Sequence, residues 1–474
     1  MSSGRSSAAP GGELRLPEPG ARIHLVGVAG AGMRGLALLL AEGGYRLSGC
    51  DREAPEVPEL AGRGVVVERG HDPSHIEGVE LVVCSAAVPE DSEELLAARA
   101  AGVRVLKRAR AMGALLQARR VVGVAGTHGK TTITAMAGLA CQAAGLDPTV
   151  LVGGRVAEWG AFARQGGGDV AVVEADEFDR SFLELYPFLA LVSSAEPEHL
   201  ESYGSWEAVR DAYGEFAARA AARGGVLYCA DDPGAREIGV PLGGSGYGFS
   251  PGAEYGIESV ESGTEGQRFR VRSPRGPLDL RLRVPGEHNV RNATAALALA
   301  LELGGDPAPI VESLASFTGV ERRLQTLAES GNIVVVDDYA HHPTEVEASL
   351  GALRSRHPEA RLVAVFQPHL FSRTRRFAAR FAAALGEADE ALVLPIYPAR
   401  EAPLPGVTSA LIAAEEATVR QTTRAEVMEA VRAVARGEPR VAGSRWVFAF
   451  MGAGDVTRVA RQAAEEVTGR AVEA

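Results

Sequence analysis

The sequence predicts an α/β protein of three domains, each built on a parallel sheet. Short apolar runs alternate with helical patterns along the chain, the signature of βα units. Twice, a glycine-rich turn follows an apolar strand and opens a helix, at Gly30–Gly35 and at Gly123–Gly129. The chain has 474 residues, enough for two to four domains at roughly 100–200 residues each.

The first block, residues 21–119, opens with the strand Ile23–Val28 and an amphipathic helix to about Gly43. Further strands are expected at Tyr45–Cys50, Val65–Glu68 and Leu81–Ser85. The second block, residues 120–317, has the strand Val121–Ala125, a helix to Ala144, and buried strands at Val170–Glu174 and Leu189–Ser193. A Gly-rich β excursion over Gly243–Val284 and an Ala/Leu helix over Asn289–Leu303 follow. In the third block, residues 318–474, strands at Ile333–Asp337, Leu362–Phe366, Ala391–Leu394 and Trp446–Phe450 alternate with helices, chief among them Arg375–Gly386.

Residues 1–20 are expected to form a disordered tail, because Met1–Gly12 is Ser/Ala/Gly-rich and lacks the apolar core of a signal peptide. No apolar run approaches a membrane span, and a cytoplasmic location is expected. A net charge of −12 argues against nucleic acid as a partner. The four cysteines, Cys50, Cys84, Cys141 and Cys229, contain no CxxC pair. Their spacing predicts neither a disulfide framework nor a zinc site.

The sharper chemical signal is Gly123-Val-Ala-Gly126-Thr127-His128-Gly129-Lys130-Thr131-Thr132. Such a turn aims backbone N–H groups and a helix N-terminus at phosphates. Lys130 can reach the β- and γ-phosphates and Thr131 a Mg²⁺ ion. The strict P-loop pattern wants glycine where Val124 stands, yet the Gly-Lys-Thr core in its strand–turn–helix setting reads as a nucleoside triphosphate site. Two acidic clusters end apolar strands: Glu174-Ala-Asp176-Glu177 and Ser194-Ala-Glu196-Pro-Glu198-His199. Carboxylates there face the crevice where α/β proteins bind ligands. Glu174 is the first choice as a Mg²⁺ ligand. His199 alone would read as a loop histidine, but its place after a second strand favours a metal role.

Gly30-Ala31-Gly32-Met33-Arg34-Gly35, with Asp51 ending the next strand, is a dinucleotide fingerprint. Its spacing does not separate NAD from UDP. The first and third domains are therefore expected to be Rossmann-like, and the central one P-loop ATPase-like. In the third block Arg322-Arg323, the run Asp337–Glu345, and Gln367-Pro368-His369 with Arg373 gather basic and polar groups. Arg323 and Arg373 read as anion contacts, Arg375 and Arg376 as a solvated helix face. Seven of ten histidines, His24, His128, His199, His288, His341, His342 and His369, lie in or beside these motifs. His24, inside a strand, also reads as a satisfied core residue.

These motifs, with Gly286-Glu-His-Asn-Val-Arg-Asn292, resemble the Mur ligases over about Ile23–Asp455. His341-His-Pro-Thr-Glu345, Phe366–Thr374 and Asp179–Leu183 resemble the branch that adds L-alanine; the branch that recycles murein tripeptide is the alternative. The resemblance implies an ATP-dependent ligase acting on UDP-N-acetylmuramate and L-alanine with Mg²⁺ or Mn²⁺, as a monomer or homodimer. It implies that Gly126–Thr132 hold ATP, that Thr131, Glu174 and His199 hold metal, and that Asn289 and Asn292 lie beside adenine. Arg323 would reach the γ-phosphate, Asp338 the ribose, and His342, His369 and Arg373 the carboxylate and amino acid. Gly30, Ala31, Gly32, Met33, Asp51, Ser85 and Ala86 would cradle the UDP end. The chain departs from the family at Glu198 and Glu201, where Asp is usual, and at Leu370, often Arg. No lysine follows Lys130, so a carbamylated lysine has no place. A silent UDP-sugar sensor and a dehydrogenase are the rival readings.

Overall fold

The computed structural model describes residues 15–52, 57–399, 401–437 and 445–470, and not the side chain of Glu201. The expected tail thus lies outside the described residues up to residue 14. Beyond that the chain is held: Tyr45 Oη donates to the Pro17 carbonyl at 2.9 Å and Arg104 to that of Arg15 at 2.6 Å. The chain divides into two units, one running to Arg155 and resuming over Trp159–Gly246, the other comprising Val156–Glu158 and the chain from Tyr247. Among the described residues no helix is long and apolar enough to cross a membrane.

The first unit begins β1 (Arg22–Val26), α1 (Ala31–Glu42), β2 (Arg46–Asp51), α2 (Pro58–Ala61), β3 (Val66–Arg69), β4 (Leu81–Cys84), α3 (Glu93–Ala100), β5 (Arg104–Lys107) and α4 (Arg108–Leu116). The strands form a parallel sheet in the order β3-β2-β1-β4-β5. Then come β6 (Arg120–Ala125), α5 (Lys130–Ala143), β7 (Thr149–Val156), β8 (Ala161–Arg164), β9 (Val170–Glu174), β10 (Leu189–Val192), α6 (Leu200–Tyr203), α7 (Trp206–Ala221), β11 (Gly225–Cys229) and α8 (Pro233–Gly239). Here the order is β11-β10-β6-β9-β7-β8. The central strands β6, β9 and β10 are buried on both faces, which is why they read as unbroken apolar runs.

The second unit holds β12 (Ser245–Gly248, from Tyr247), β13 (Tyr255–Gly263), β14 (Gly266–Arg272), β15 (Leu278–Leu282), α9 (Glu287–Glu302) and α10 (Pro307–Ser316). β13, β14 and β15 are an antiparallel meander. There follow β16 (Gln325–Ser330), β17 (Ile333–Asp338), α11 (Pro343–Arg356), β18 (Arg361–Phe366), α12 (Phe371–Leu385), β19 (Glu390–Val393), α13 (Ala410–Ala413), β20 (Val419–Gln421), α14 (Arg424–Ala435), β21 (Trp446–Met451) and α15 (Val456–Thr468). Their sheet runs β16-β17-β21-β18-β19-β20.

Alternation along these strands builds two cores. Val334, Val336, Leu362, Ala364, Val447 and Ala449 face α11 and α12 residues such as Leu350 and Phe381. Ile333, Val335, Val363, Val365, Phe448 and Phe450 face Val427, Val431, Val459 and Ala463 of α14 and α15.

Candidate functional site

In the first unit, β9, β6 and β10 lie side by side and parallel, with Val124 opposite Glu174 and Ala125 opposite Val192. The turn after β6, the acidic run after β9 and the loop Ser193–His199 after β10 therefore leave one edge of the sheet at its carboxyl end. That edge is where ligands of parallel α/β sheets bind.

Gly126 has φ 136°, and a Cβ there would lie 2.1 Å from Ser193 Oγ and 2.8 Å from the Ser194 nitrogen. Gly129, at φ 81°, caps α5, so Lys130–Thr132 form its first turn. Amides of a first helical turn lack a carbonyl one turn back and suit an anion. The amides of Thr127 and His128 differ from expectation. They donate to the Ser194 carbonyl (3.1 Å) and Ser194 Oγ (2.9 Å), so they shape the turn. Thr127 Oγ1 in turn accepts from the Glu196 N–H at 2.9 Å.

Lys130 Nζ donates to the Gly126 carbonyl at 2.5 Å and to Glu177 Oε1 at 3.0 Å, with Glu177 Oε2 at 2.8 Å. Burial alone would lower the pKa of this ammonium; Glu177, Asp176 and Glu174 outweigh it and raise the pKa. Glu177 is a site residue that sequence reasoning passed over in favour of Glu174. Glu174 Oε1 accepts from the Gly153 N–H at 2.5 Å. Glu177 is 3% exposed, its carbonyl takes the Tyr203 hydroxyl at 2.6 Å, and its Oε1 lies 3.8 Å from His199 Nε2. Its sequence signal was its place in the acidic run Glu174-Ala-Asp176-Glu177 that follows β9.

His199 itself has φ 53° and packs edge-on to Phe178, with ring centroids 5.3 Å apart. Asp179 and Arg180 also have positive φ, 56° and 55°. Such backbone is uncommon outside glycine and concentrates at functional loops. Thr131, Glu174, Glu177 and His199 supply oxygen donors and one imidazole, a set that fits a hard divalent ion. The glycine cradle fits a phosphate.

The other turn of this unit is held by Asp51, whose Oδ2 accepts from the Ala29 N–H at 3.0 Å. A Cβ on Gly27 would lie 3.0 Å from the Ser85 Cβ, so Ser85 and Ala86 border the turn. Gly30 caps α1, preceding Ala31. A Cβ on Gly32 would meet Arg108 Nη1 at 2.9 Å. The Met33 side chain is core, leaving only its backbone to face a ligand. Arg108 pairs with Asp176 at 3.5 Å, and Lys107 with Glu90 and Asp179, each at 3.2 Å. The edge carrying Gly30 is thereby tied to the acidic run.

In the second unit, β17, β21 and β18 are parallel neighbours. Asp338 ends β17 and is bonded by Ser349 Oγ. Burial raises its pKa to about 6, against the opposing pull of Ser349 and Arg323. Arg322 and Arg323 both lie over the Tyr339 ring, at 4.8 and 5.0 Å. Arg322 is committed to structure, donating to the carbonyls of Gly452 (2.7 Å) and Gly454 (3.2 Å). His342 caps α11, where Glu345 Oε2 accepts from the His341 and His342 amides at 2.9 and 3.2 Å. His369 stacks on Tyr397 with centroids 5.8 Å apart, and 6.2 Å from His341. Arg373 is half-buried on α12, while Arg375 and Arg376 are exposed, as expected. Leu370, buried at φ 69°, caps that helix. Asn289 donates to the Pro285 carbonyl at 2.7 Å and accepts from Asn292 at 3.1 Å, in the first turns of α9.

The Asp338 carboxyl makes stability depend on pH. Its pKa is higher folded than unfolded, so its contribution is full below the ordinary carboxylate range and lost as pH rises through about 6. Denaturant titrations of the wild type and Asp338→Asn should therefore diverge by about 2 kcal/mol between about pH 4 and pH 7. Parallel curves would refute the assignment.

Three family models match in succession: Mur ligase family, catalytic domain, over residues 22–120; Mur ligase middle domain over 124–300; and Mur ligase, glutamate ligase domain over 322–454. A UDP-N-acetylmuramate–L-alanine ligase of Paenarthrobacter aurescens is 42% identical, over 92% of this chain and 95% of its own. One from Kineococcus radiotolerans is 45% identical, over 86% and 88%. The crystal structure of the UDP-N-acetylmuramate–alanine ligase of Thermotoga maritima superposes with a TM-score of 0.78 at 28% identity, covering 94% of this chain and 99% of that one. A murein peptide ligase from Psychrobacter arcticus shares the fold, with a TM-score of 0.69 at 21% identity over 96% and 100%. With all three models matched and such relatives aligned nearly end to end, the chain belongs to the Mur ligase family.

Proposed function

We propose that this chain joins L-alanine to UDP-N-acetylmuramate with ATP, forming an amide in peptidoglycan precursor synthesis. The observation that carries the reading is the 42–45% identity, over most of the chain, to relatives bearing that activity as their name. The Lys130 turn beside Glu177 and His199 supports it with a place for a triphosphate.

The γ-phosphoryl group passes to the lactyl carboxylate, giving an acyl phosphate and ADP. The alanine amine attacks that carbonyl, and the tetrahedral adduct collapses to amide and inorganic phosphate. Lys130 and the first turn of α5 hold the phosphates and stabilise charge on the transferring group. Thr131, Glu174, Glu177 and His199 would hold Mg²⁺, which supplies neutralisation of phosphate charge. Arg323 serves the γ-phosphate, Asp338 the ribose, and Asn289 and Asn292 the adenine side. His369 and Arg373 receive the carboxylates, and His342 orients the amine. The turn at Gly30 with Asp51 and Ser85 receives the UDP end. A cytoplasmic location goes with this reading.

Phosphate release is expected only when ATP, Mg²⁺, UDP-N-acetylmuramate and L-alanine are all present, with the alanylated product identified by mass. Turnover with L-alanyl-γ-D-glutamyl-meso-diaminopimelate and none with alanine would assign the chain to tripeptide recycling. Silence with both would favour a sensor.

A further inference from the structure

The spacing of the cysteines argued against a zinc site, but the fold carries one of them to a cluster that spacing does not reveal. His24 on β1, Cys50 on β2, His75 in the short 3₁₀ turn Pro73–Ile76 and Glu94 at the start of α3 meet on one face of the first sheet. Each offers one ligand atom within 4.8 Å of all the others. His24, Cys50 and Glu94 are 1%, 0% and 0% exposed.

His24 Nε2 lies 2.9 Å from Glu94 Oε1 and 3.4 Å from Cys50 Sγ. His75 Nδ1 lies 3.0 Å from Glu94 Oε1, and Cys50 Sγ 3.2 Å from Glu94 Oε2. With metal bonds of about 2.0–2.3 Å, tetrahedral ligands sit roughly 3.3–3.7 Å apart. These four contacts lie within a few tenths of an ångström of that spacing, and no pair of ligand atoms in the cluster is more than 4.8 Å apart. The far nitrogen of each ring is also held. His24 Nδ1 meets Ser48 Oγ at 2.8 Å, and His75 Nε2 meets Glu68 Oε2 at 3.2 Å. That outer bracing is what orients metal-binding imidazoles.

A hydrogen-bonded cluster is the simpler alternative, but it leaves the thiol crowded. Cys50 Sγ has one proton, yet it faces Glu94, His24 and His71 Nδ1, the last at 3.2 Å. The donor set matters too. A divalent ion with one thiolate, one carboxylate and two neutral imidazoles is a neutral centre, suited to burial. Mixed N/S/O donors select borderline-soft ions over Mg²⁺. His71, 26% exposed and 3.3 Å from Glu94 Oε2, stands at the mouth of the cluster.

The geometry points to a zinc-class divalent metal site formed by His24, Cys50, His75 and Glu94, tying β1, β2 and α3 together. Binding sends the Cys50 thiol proton to solvent. The site lies apart from the Lys130 turn and its proposed Mg²⁺ ligands, which include no sulfur.

The test is titration of the chelator-stripped full chain with Co²⁺ alone, followed by Zn²⁺. One equivalent of Co²⁺ should give intense tetrahedral visible bands and a near-ultraviolet sulfur-to-cobalt charge-transfer band, both abolished by Zn²⁺. Cys50→Ser should lose the charge-transfer band, while Cys84→Ser keeps it. His75→Ala, which spares the thiol and the buried core, should weaken Zn²⁺ binding about 10-fold or more. Zn²⁺ should raise the thermal midpoint of the wild type and not that of a folded Cys50→Ser. A wild type without the band, or a band that survives Cys50→Ser, would overturn the site and leave a hydrogen-bonded cluster.

Discussion

Lys130→Ala is expected to lower ATP-dependent phosphate release by roughly 10²–10³-fold while UDP-N-acetylmuramate still binds. The ammonium is the cation in the turn that opens α5, already aimed at Gly126 and Glu177. Removing it takes away charge stabilisation that matters most as phosphate charge shifts. It also leaves the buried Glu177 carboxylate without its strongest partner, which costs about 3–5 kcal/mol. The two effects separate in a double-mutant cycle. Glu177→Gln combined with Lys130→Ala should regain much of the lost stability and none of the turnover. Calorimetry for the UDP-sugar and steady-state phosphate release read the two arms. Full activity in Lys130→Ala would remove this turn from the chemistry.

Gly126→Ala should damage the fold to a similar degree. The added methyl must occupy space 2.1 Å from Ser193 Oγ and 2.8 Å from a backbone nitrogen, at a φ of 136°. Neither neighbour can step aside. Ser193 Oγ donates to the Ala125 carbonyl at 3.2 Å, and the Ser194 carbonyl and Oγ accept from the Thr127 and His128 amides. Clash and backbone strain together imply a loss of about 3–5 kcal/mol. ATP affinity should fall with it, because the turn cannot keep its shape. Gly30→Ala is the contrast: φ at Gly30 is ordinary, and the nearest atom to a Cβ there is the Gly27 carbonyl oxygen at 4.0 Å. Chemical denaturation of the two variants should differ by at least about 2 kcal/mol. Equal stabilities would contradict the geometry.

Much of this was legible in the sequence because the central strands are buried on both faces. Val170–Val173 and Leu189–Val192 appear as bare apolar runs, and the polar residues that end them mark the ligand edge. Other edges of the sheets, unlike β3, were silent. β16 reads Gln-Thr-Leu-Ala-Glu-Ser, mostly exposed, and β8 has four residues; neither holds enough apolar sequence to register. Glu177 was missed for a different reason. Two left-handed residues after it, Asp179 and Arg180, bend the chain in a way that residue types do not announce. The cluster around Cys50 is invisible in one dimension, since His24 and Glu94 are seventy residues apart.

The chain contains just two lysines, Lys107 and Lys130, against many arginines. Lys107 is held between Glu90 and Asp179, and Lys130 lies half-buried against Glu177. Guanidinium groups stay protonated and do not acylate at neutral pH. Amine-directed reagents thus meet almost no targets on this protein. Coupling through activated esters has only the amino terminus, Lys107 and Lys130 to choose from. The same scarcity turns a covalent tag on a side-chain amine into a two-way choice. A reagent that silences the enzyme, and that ATP excludes, would be reporting on a single nitrogen.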